Sequence, residues 1–339
     1  MVRRNPYSTV PDGRRTLEAS GALPKISIII PSYNTASLIA NCLDSVFAQT
    51  FQDFEAIVVN DGSPDTPQLE SALKSYRDRI VYIVQPNKRA AGARNTGIGA
   101  ARGEFLAFLD SDDSWLPDHL AFQMEQFHND PALDLVYSDA LLVSDSKEHK
   151  TFMQKCTSEG TATFEAIVVE RCQIPISTVV VRKSAILKAG GFDETLPRCD
   201  DYDMWLRTAF FGAKLGYRRD VQARLFLGRP DSLGSSRSKM AEAYWRILEK
   251  NAHALPLSEA QLQLIRQRGM QAKAMYLLEE GKVQLRESHP EKALELLAEA
   301  NQHFRTFKLG IAVRTLKLAP QSACKLLLAV SRLRSGHAV

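Results

Sequence analysis

Four short apolar runs, three of them closed by polar or acidic turns, constrain this chain more than any other feature. Ile26-Ser-Ile-Ile-Ile30 is β-branched and ended by Pro31, which marks a buried strand. Phe54–Val59 repeats the pattern and stops at Asn60-Asp-Gly-Ser-Pro64; Ile80–Val84 and Glu104–Leu109 complete the set. Between them Leu38–Phe47, Leu69–Tyr76 and Ala90–Ala101 read as helices, the first capped by Ser37 or Thr35. This alternation fills about 85 residues and implies an α/β fold, a parallel sheet with helices on both faces. Ligands of such sheets sit at the carboxyl ends of the strands. There the sequence places Pro31-Ser-Tyr-Asn34, Asn60-Asp-Gly-Ser63 and Asp110-Ser-Asp-Asp113.

Beyond Asp113 the pattern is irregular. Leu116–Phe127 and Asp200–Phe211 suggest helices, and Leu133–Tyr137, Thr178–Val181, Leu215–Tyr217 and Arg224–Leu227 suggest strands. After about residue 239 only helical spacing remains, in Ala241–Ala252, Ser258–Arg286 and Pro290–Leu318. The 339 residues suffice for about two domains. We expect a lead-in over 1–24, an α/β domain over 25–235 and a helical domain over 236–339, divided near Gly234-Ser-Ser236. Pro290–Ala300 looks like one helix of a tetratricopeptide-type hairpin, but no second copy follows at that period.

Composition narrows the class. Hydrophobic residues make up 45% and charged residues 24%, which excludes disordered, collagen-like and small disulfide-framework chains. The net charge of +4 is unevenly spread: +3 over 1–15, −7 over 16–235 and +8 over 236–339. Five scattered cysteines without a CxxC pair fit a reducing compartment. The seven histidines show no metal-binding spacing. No secretory leader and no membrane-spanning run is apparent, so a cytoplasmic location is expected, with peripheral contact at the inner membrane face left open. No aromatic-basic interleaving suggests nucleic acid as a partner.

Asp110-Ser-Asp-Asp113 is the sharpest chemical signal. Carboxylates at 110 and 112 in a turn after a strand can converge on a hard cation, and all-oxygen ligands suit Mg²⁺ or Mn²⁺. Read alone, it is an acidic turn capping the helix near Pro117. Tyr33 and Asp61 could stack on and hydrogen-bond a base, and Arg94 could face a diphosphate as a fixed fork. The plainer reading pairs Arg94 with Glu104 across the surface. Gly92–Gly99 is neither a dinucleotide fingerprint nor a P-loop.

Taken in order, Ile-Ile-Ile-Pro-Ser-Tyr-Asn34, Val-Val-Asn-Asp-Gly-Ser-Pro-Asp65, Gly-Ala-Arg-Asn-Thr-Gly-Ile98 and Phe-Leu-Asp-Ser-Asp-Asp113 resemble the family 2 glycosyltransferases of GT-A fold. Gly190-Gly-Phe-Asp-Glu194 and Cys199-Asp-Asp-Tyr-Asp-Met-Trp-Leu-Arg207 extend the resemblance, which covers about residues 25–235. It implies an inverting, hexosyltransferase-type enzyme using a nucleotide-sugar donor, a UDP-sugar above all, and a carbohydrate or lipid-linked acceptor. By position it assigns donor binding to Pro31, Tyr33, Asn34, Asp61, Arg94 and Asp110, and metal binding to Asp112. Asp201 falls at the general base, with Asp200 before it on the acceptor side. Trp205 and Arg207, further along the same helix, could line the acceptor site, although at helical spacing a Trp at 205 more often belongs to the core. Two departures stand out. The Glu that usually precedes the base is Asp200, and a His found after the last strand of many relatives is replaced by Arg229, which could clamp a diphosphate.

Two other classes compete. A non-catalytic sugar-nucleotide-binding or scaffold protein of the same fold would not need both the DxD motif and Asp201. A nucleotidyltransferase would carry a Gly- and Lys-rich loop after the first strand, where Pro31-Ser-Tyr-Asn34 stands. At the other end, residues 301–339 hold seven Lys+Arg and no acidic residue, with Leu316, Leu318, Leu326–Leu328, Val330 and Leu333 interleaved. Those leucines either pack the helical domain or face anionic lipid.

Overall fold

The computed structural model describes residues 23–144, 147–227 and 236–322. The chain divides into two compact units, Met1–Arg229 and Pro230–Val339.

The first unit is a curled mixed sheet flanked by helices, a GT-A fold. Its parallel half is β1 (Ile26–Ser32), β2 (Phe54–Asp61), β3 (Ile80–Gln85) and β4 (Phe105–Phe108), in the order β3-β2-β1-β4. Helices α1 (Ile39–Phe47), α2 (Thr66–Ala72) and α3 (Arg89–Ala100) make the crossovers. Covered strands need apolar residues on both faces, and Ile26, Ile28, Ile29 and Ile30 are all fully buried. α3 comes very close to β1: a Cβ on Gly97 would lie 2.5 Å from Ile29 Cγ2.

The sheet then changes direction. β5 is only Ser114–Trp115 and α4 runs His119–Asn129. β6 (Leu135–Ser144) pairs with β7 (Lys147–Thr151), and short helices α5 (Phe152–Lys155) and α6 (Phe164–Val168) follow. β8 (Val180–Arg182) lies antiparallel between β4 and β6, and α7 is Lys183–Lys188. α8 (Asp200–Phe210) precedes β9 (Leu215–Phe226), which runs parallel to β6 and antiparallel to β5.

Several expectations change. The two strands expected at Leu215–Tyr217 and Arg224–Leu227 are one, β9, whose exposed middle at Arg219 and Asp220 carries no apolar signal. Neither Ser37 nor Thr35 caps α1 with its side chain. The Thr35 carbonyl accepts the Leu38 and Ile39 N–H groups, while its hydroxyl bonds Ser32 and Ser111.

The second unit contains α9 (Arg237–Ala254), α10 (Glu259–Arg286), α11 (Pro290–Phe304) and α12 (Phe307–Leu318). Ser258 and Gln261 form a reciprocal capping box at α10. The stretch expected to be helical over Pro290–Leu318 breaks where Arg305 turns left-handed (φ 49°) and Thr306 caps α12. Leu285, Ala293, Leu297 and Leu316 form this unit's own core.

Candidate active site

The carboxyl ends of β1, β2 and β4 converge, and hydrogen bonds stitch their turns together. Asn34, left-handed at φ 55°, donates its N–H to Ser63 Oγ at 2.7 Å. The Ala36 N–H donates to Asp65 Oδ2 at 2.8 Å, and Ser63 donates to the same carboxylate. Pro31 lies within β1 opposite Val59, partly buried, while Tyr33 is 48% exposed at the rim. The β2 turn needs glycine: Gly62 has φ +64°, and a Cβ would lie 2.7 Å from the Asn87 nitrogen.

Asp61, at the end of β2, is buried. Its Oδ1 accepts the Lys88 N–H at 2.8 Å and Gln85 Nε2 at 2.7 Å, whereas the buried Oδ2 has no partner. Burial raises the carboxyl pKa despite those bonds. A buried acceptor with a free valence is costly to leave unmet, and it suits an N–H of a bound base.

The acidic turn after β4 is rigid from behind. Ser177, before β8, accepts the Asp110 N–H at 3.1 Å and donates to Asp113 Oδ2 at 2.5 Å. Asp113 also accepts the Phe226 N–H at 2.9 Å, tying the turn to the end of β9. Burial, then the charges of Asp112 and Asp110, push the Asp113 carboxyl well up. It is a brace rather than a cap; the residue at the start of α4 is Asp118. Asp112 is half-buried on the same turn, and 34% of the Asp110 side chain is exposed.

Arg94 joins this turn to α8. Its NH2 group donates to Asp110 at 2.7 Å and its NH1 group to Asp200 at 2.5 Å, with the side chain 6% exposed. Burial alone would lower its pKa, but Asp200 and Asp110 outweigh that and raise it. The fork expected to face a diphosphate is turned onto two carboxylates, because a buried guanidinium needs counter-charge. Glu104, its plainer candidate partner, pairs instead with Lys25 and Arg182.

α8 begins after Cys199, which is left-handed at φ 56°. Asp200 is therefore buried beneath the site rather than exposed toward an acceptor. Asp201, next along, is half-buried. Burial first and the Asp200 charge second raise its carboxyl to about 6, against the lowering effect of Arg94. It has the proton affinity of a general base working near neutrality.

The two residues weighed for the acceptor side are both held elsewhere. Trp205 is 1% exposed and packs on Phe108 and Phe192, so it is core. Arg207 is tied to Asp203 at 2.8 Å and to the Ala189 carbonyl. Trp205 lies on the inward face of α8, whereas Arg207, two residues on, is held by its i−4 neighbour Asp203. Arg229 lies outside the described residues.

Two further supports, Ser177 and Asn95, are not among the expected site residues. Ser177 sits in an unpatterned stretch. Asn95 donates to the Phe192 carbonyl at 2.8 Å and to Glu194 at 2.9 Å, which locks Gly190-Gly-Phe-Asp-Glu194 onto α3. That segment's recurrence as a motif was the only hint of the contact.

A cation fits this donor set. Among the described residues no three His, Cys, Asp or Glu side chains form a cage. The turn offers all-oxygen carboxylates, as suits an ion that completes its shell with phosphate and water. Asp112 would hold Mn²⁺ or Mg²⁺, with Asp110 beside it.

The curled sheet places the acidic strand-end turn and the half-buried carboxylate near the start of α8 at one edge of a GT-A fold. Residues 27–176 match the family model described as Glycosyl transferase family 2. An uncharacterized glycosyltransferase of Rickettsia typhi is 32% identical over 187 residues, 54% of this chain and 58% of that protein. The amylovoran biosynthesis glycosyltransferase AmsB of Erwinia amylovora is 30% identical over 196 residues, 56% of this chain and 65% of its own. The chain thus spans under two thirds of the length of these relatives. Among solved structures, S. aureus TarS 1-349 with UDP superposes at a TM-score of 0.58 and 19% identity, covering 86% of this chain and 91% of its own. The mannosyltransferase PcManGT of Pyrobaculum calidifontis, in complex with GDP-Man and Mn²⁺, gives 0.56 and 20%, with coverage of 97% and 90%.

Proposed function

We propose that this protein transfers a sugar, with inversion, from a nucleotide-sugar donor to an acceptor hydroxyl in polysaccharide or glycoconjugate synthesis. The observation that carries the reading is the Arg94 bridge. It fixes the acidic turn at Asp110 and the Asp200-Asp201 pair as one unit, so donor and base keep a set separation.

In this reading Asp61 Oδ2 accepts an N–H of the base and Tyr33 covers its face. Asp112 binds a divalent cation, which when bound offsets charge on the departing diphosphate. Asp201 takes the acceptor hydroxyl's proton as that oxygen bonds to the anomeric carbon. The bond from that carbon to the diphosphate oxygen breaks, and the nucleoside diphosphate leaves. A single displacement needs no enzyme nucleophile. The stitched turns pre-position these groups, which is where such a site gains rate. Arg94 acts as a positioning residue.

UDP is the favoured carrier; a neighbour of the same fold holds UDP, and another holds GDP-Man with Mn²⁺. A thermal-shift and hydrolysis screen of UDP- and GDP-sugars with Mn²⁺ tests this. At least one should stabilise the protein and release its nucleoside diphosphate, and Asp112→Ala should weaken Mn²⁺-dependent UDP binding by tenfold or more, an order-of-magnitude figure for a lost metal ligand. No stabilisation by any donor, or unchanged affinity in Asp112→Ala, would overturn the donor and metal assignments.

A further inference from the structure

α12 is apolar on two faces, and among the described residues only one of them is packed. Leu309, Val313 and Leu316 turn inward and pack with Leu285, Ala293 and Leu297. On the opposite face Phe307 is 82% exposed, Ile311 47% and Leu318 86%. These positions are spaced i, i+4 and i+11, so at about 100° per residue they form one stripe along the helix.

The charges around the stripe have a single sign. Arg314 lies on it between Ile311 and Leu318, with Lys308 on one flank and Lys317 on the other; all three are exposed. None of them forms an ion pair among the described residues. No acidic residue occurs in α12 or anywhere in residues 301–339, although that stretch holds seven Lys+Arg. Surface helices of soluble chains normally interleave both signs, as α10 does with Glu279 and Lys282. A large exposed phenylalanine and leucine bounded by unpaired cations fits a surface that is apolar below and anionic above. Lys and Arg there can extend their heads to phosphate while their stems lie along the apolar stripe.

We propose that the outer face of α12 is a peripheral membrane-binding surface for anionic phospholipid. Phe307, Ile311 and Leu318 enter the boundary between headgroups and acyl chains, and Lys308, Arg314 and Lys317 meet the lipid phosphates. This inference stands independently of the transfer reaction.

Flotation of the full chain with phosphatidylglycerol/phosphatidylcholine vesicles, and with phosphatidylcholine alone, tests it. The protein should float with the anionic vesicles and not with the zwitterionic ones, and high salt should release it. Reversing Lys308, Arg314 and Lys317 to Glu should weaken binding by roughly 100-fold or more, at about fivefold per charge lost near an anionic surface. Phe307→Ser/Ile311→Ser/Leu318→Ser should also abolish flotation while leaving helical circular dichroism unchanged, since all three side chains point outward. Absence of flotation, or flotation unaffected in the serine variant, would overturn the proposal. So would light scattering that shows a dimer dissolved by the serine variant, because the face would then belong to a second copy of this chain.

Discussion

At the scale of single residues, Asp201 sits in surroundings that oppose its charge. Its carboxyl titrates at about 6, whereas an unfolded chain leaves aspartate near 4. The native state therefore binds the proton more tightly, and Asp201 costs stability increasingly as pH rises through that window. Without donor or metal, Asp201→Asn should stabilise the protein at pH 7.5 by up to roughly 3 kcal/mol, at about 1.4 kcal/mol for each tenfold difference in proton affinity between the native and unfolded chain. That gain should vanish at pH 4. Urea unfolding at both pH values checks this, and an equal difference at both would remove the burial argument. Arg94→Ala should do the reverse: it strands Asp110 and buried Asp200, a loss of about 3–5 kcal/mol for a broken buried pair. A fall in stability of under about 1 kcal/mol, the range of exposed pairs, would contradict the bridge.

Among the elements, α3 and β1 set the floor of the site. Gly97→Ala would drive a methyl into Ile29 and should cost about 1–3 kcal/mol as overpacking. Gly99, one position beyond Ile98 on the same helix, has no atom within 4 Å of a built Cβ. Gly99→Ala should instead stabilise by roughly 0.5–1 kcal/mol. Equal effects in thermal melts would mean that α3 does not pack as described. The same elements show how much was legible from sequence. β1 to β4 stood out because covered parallel strands are apolar on both faces and end at Pro31, Asn60-Asp-Gly or the acidic turn. β5 did not, since two residues carry no period. The carboxylates were legible because strand-end turns expose their chemistry locally. Their partners were not: Arg94 and Asp200 are 106 residues apart, and Ser177 is 67 from Asp110. Such pairings follow from how the sheet curls, which no local pattern encodes. Helical spacing on α8 already favoured the core for Trp205 over the acceptor side, and that is where the residue sits.

Over the whole molecule, the acidic stretch and the basic stretch fall in different compact units. Each unit has its own core. Calorimetry should resolve two transitions, and UDP with Mn²⁺ should raise one of them by ligand linkage while leaving the other in place. A single transition moving as a whole would mean that donor binding engages both units.

The central claim is that Asp201 removes the acceptor's proton at a donor site built by other residues. With a donor from the sugar-nucleotide screen, nucleoside diphosphate release and donor affinity should be measured side by side for the unaltered protein and Asp201→Asn. Donor affinity should stay within about twofold while turnover falls by 10²-fold or more, as expected for loss of a general base. Turnover close to that of the unaltered protein in Asp201→Asn, with donor binding intact, would contradict the claim.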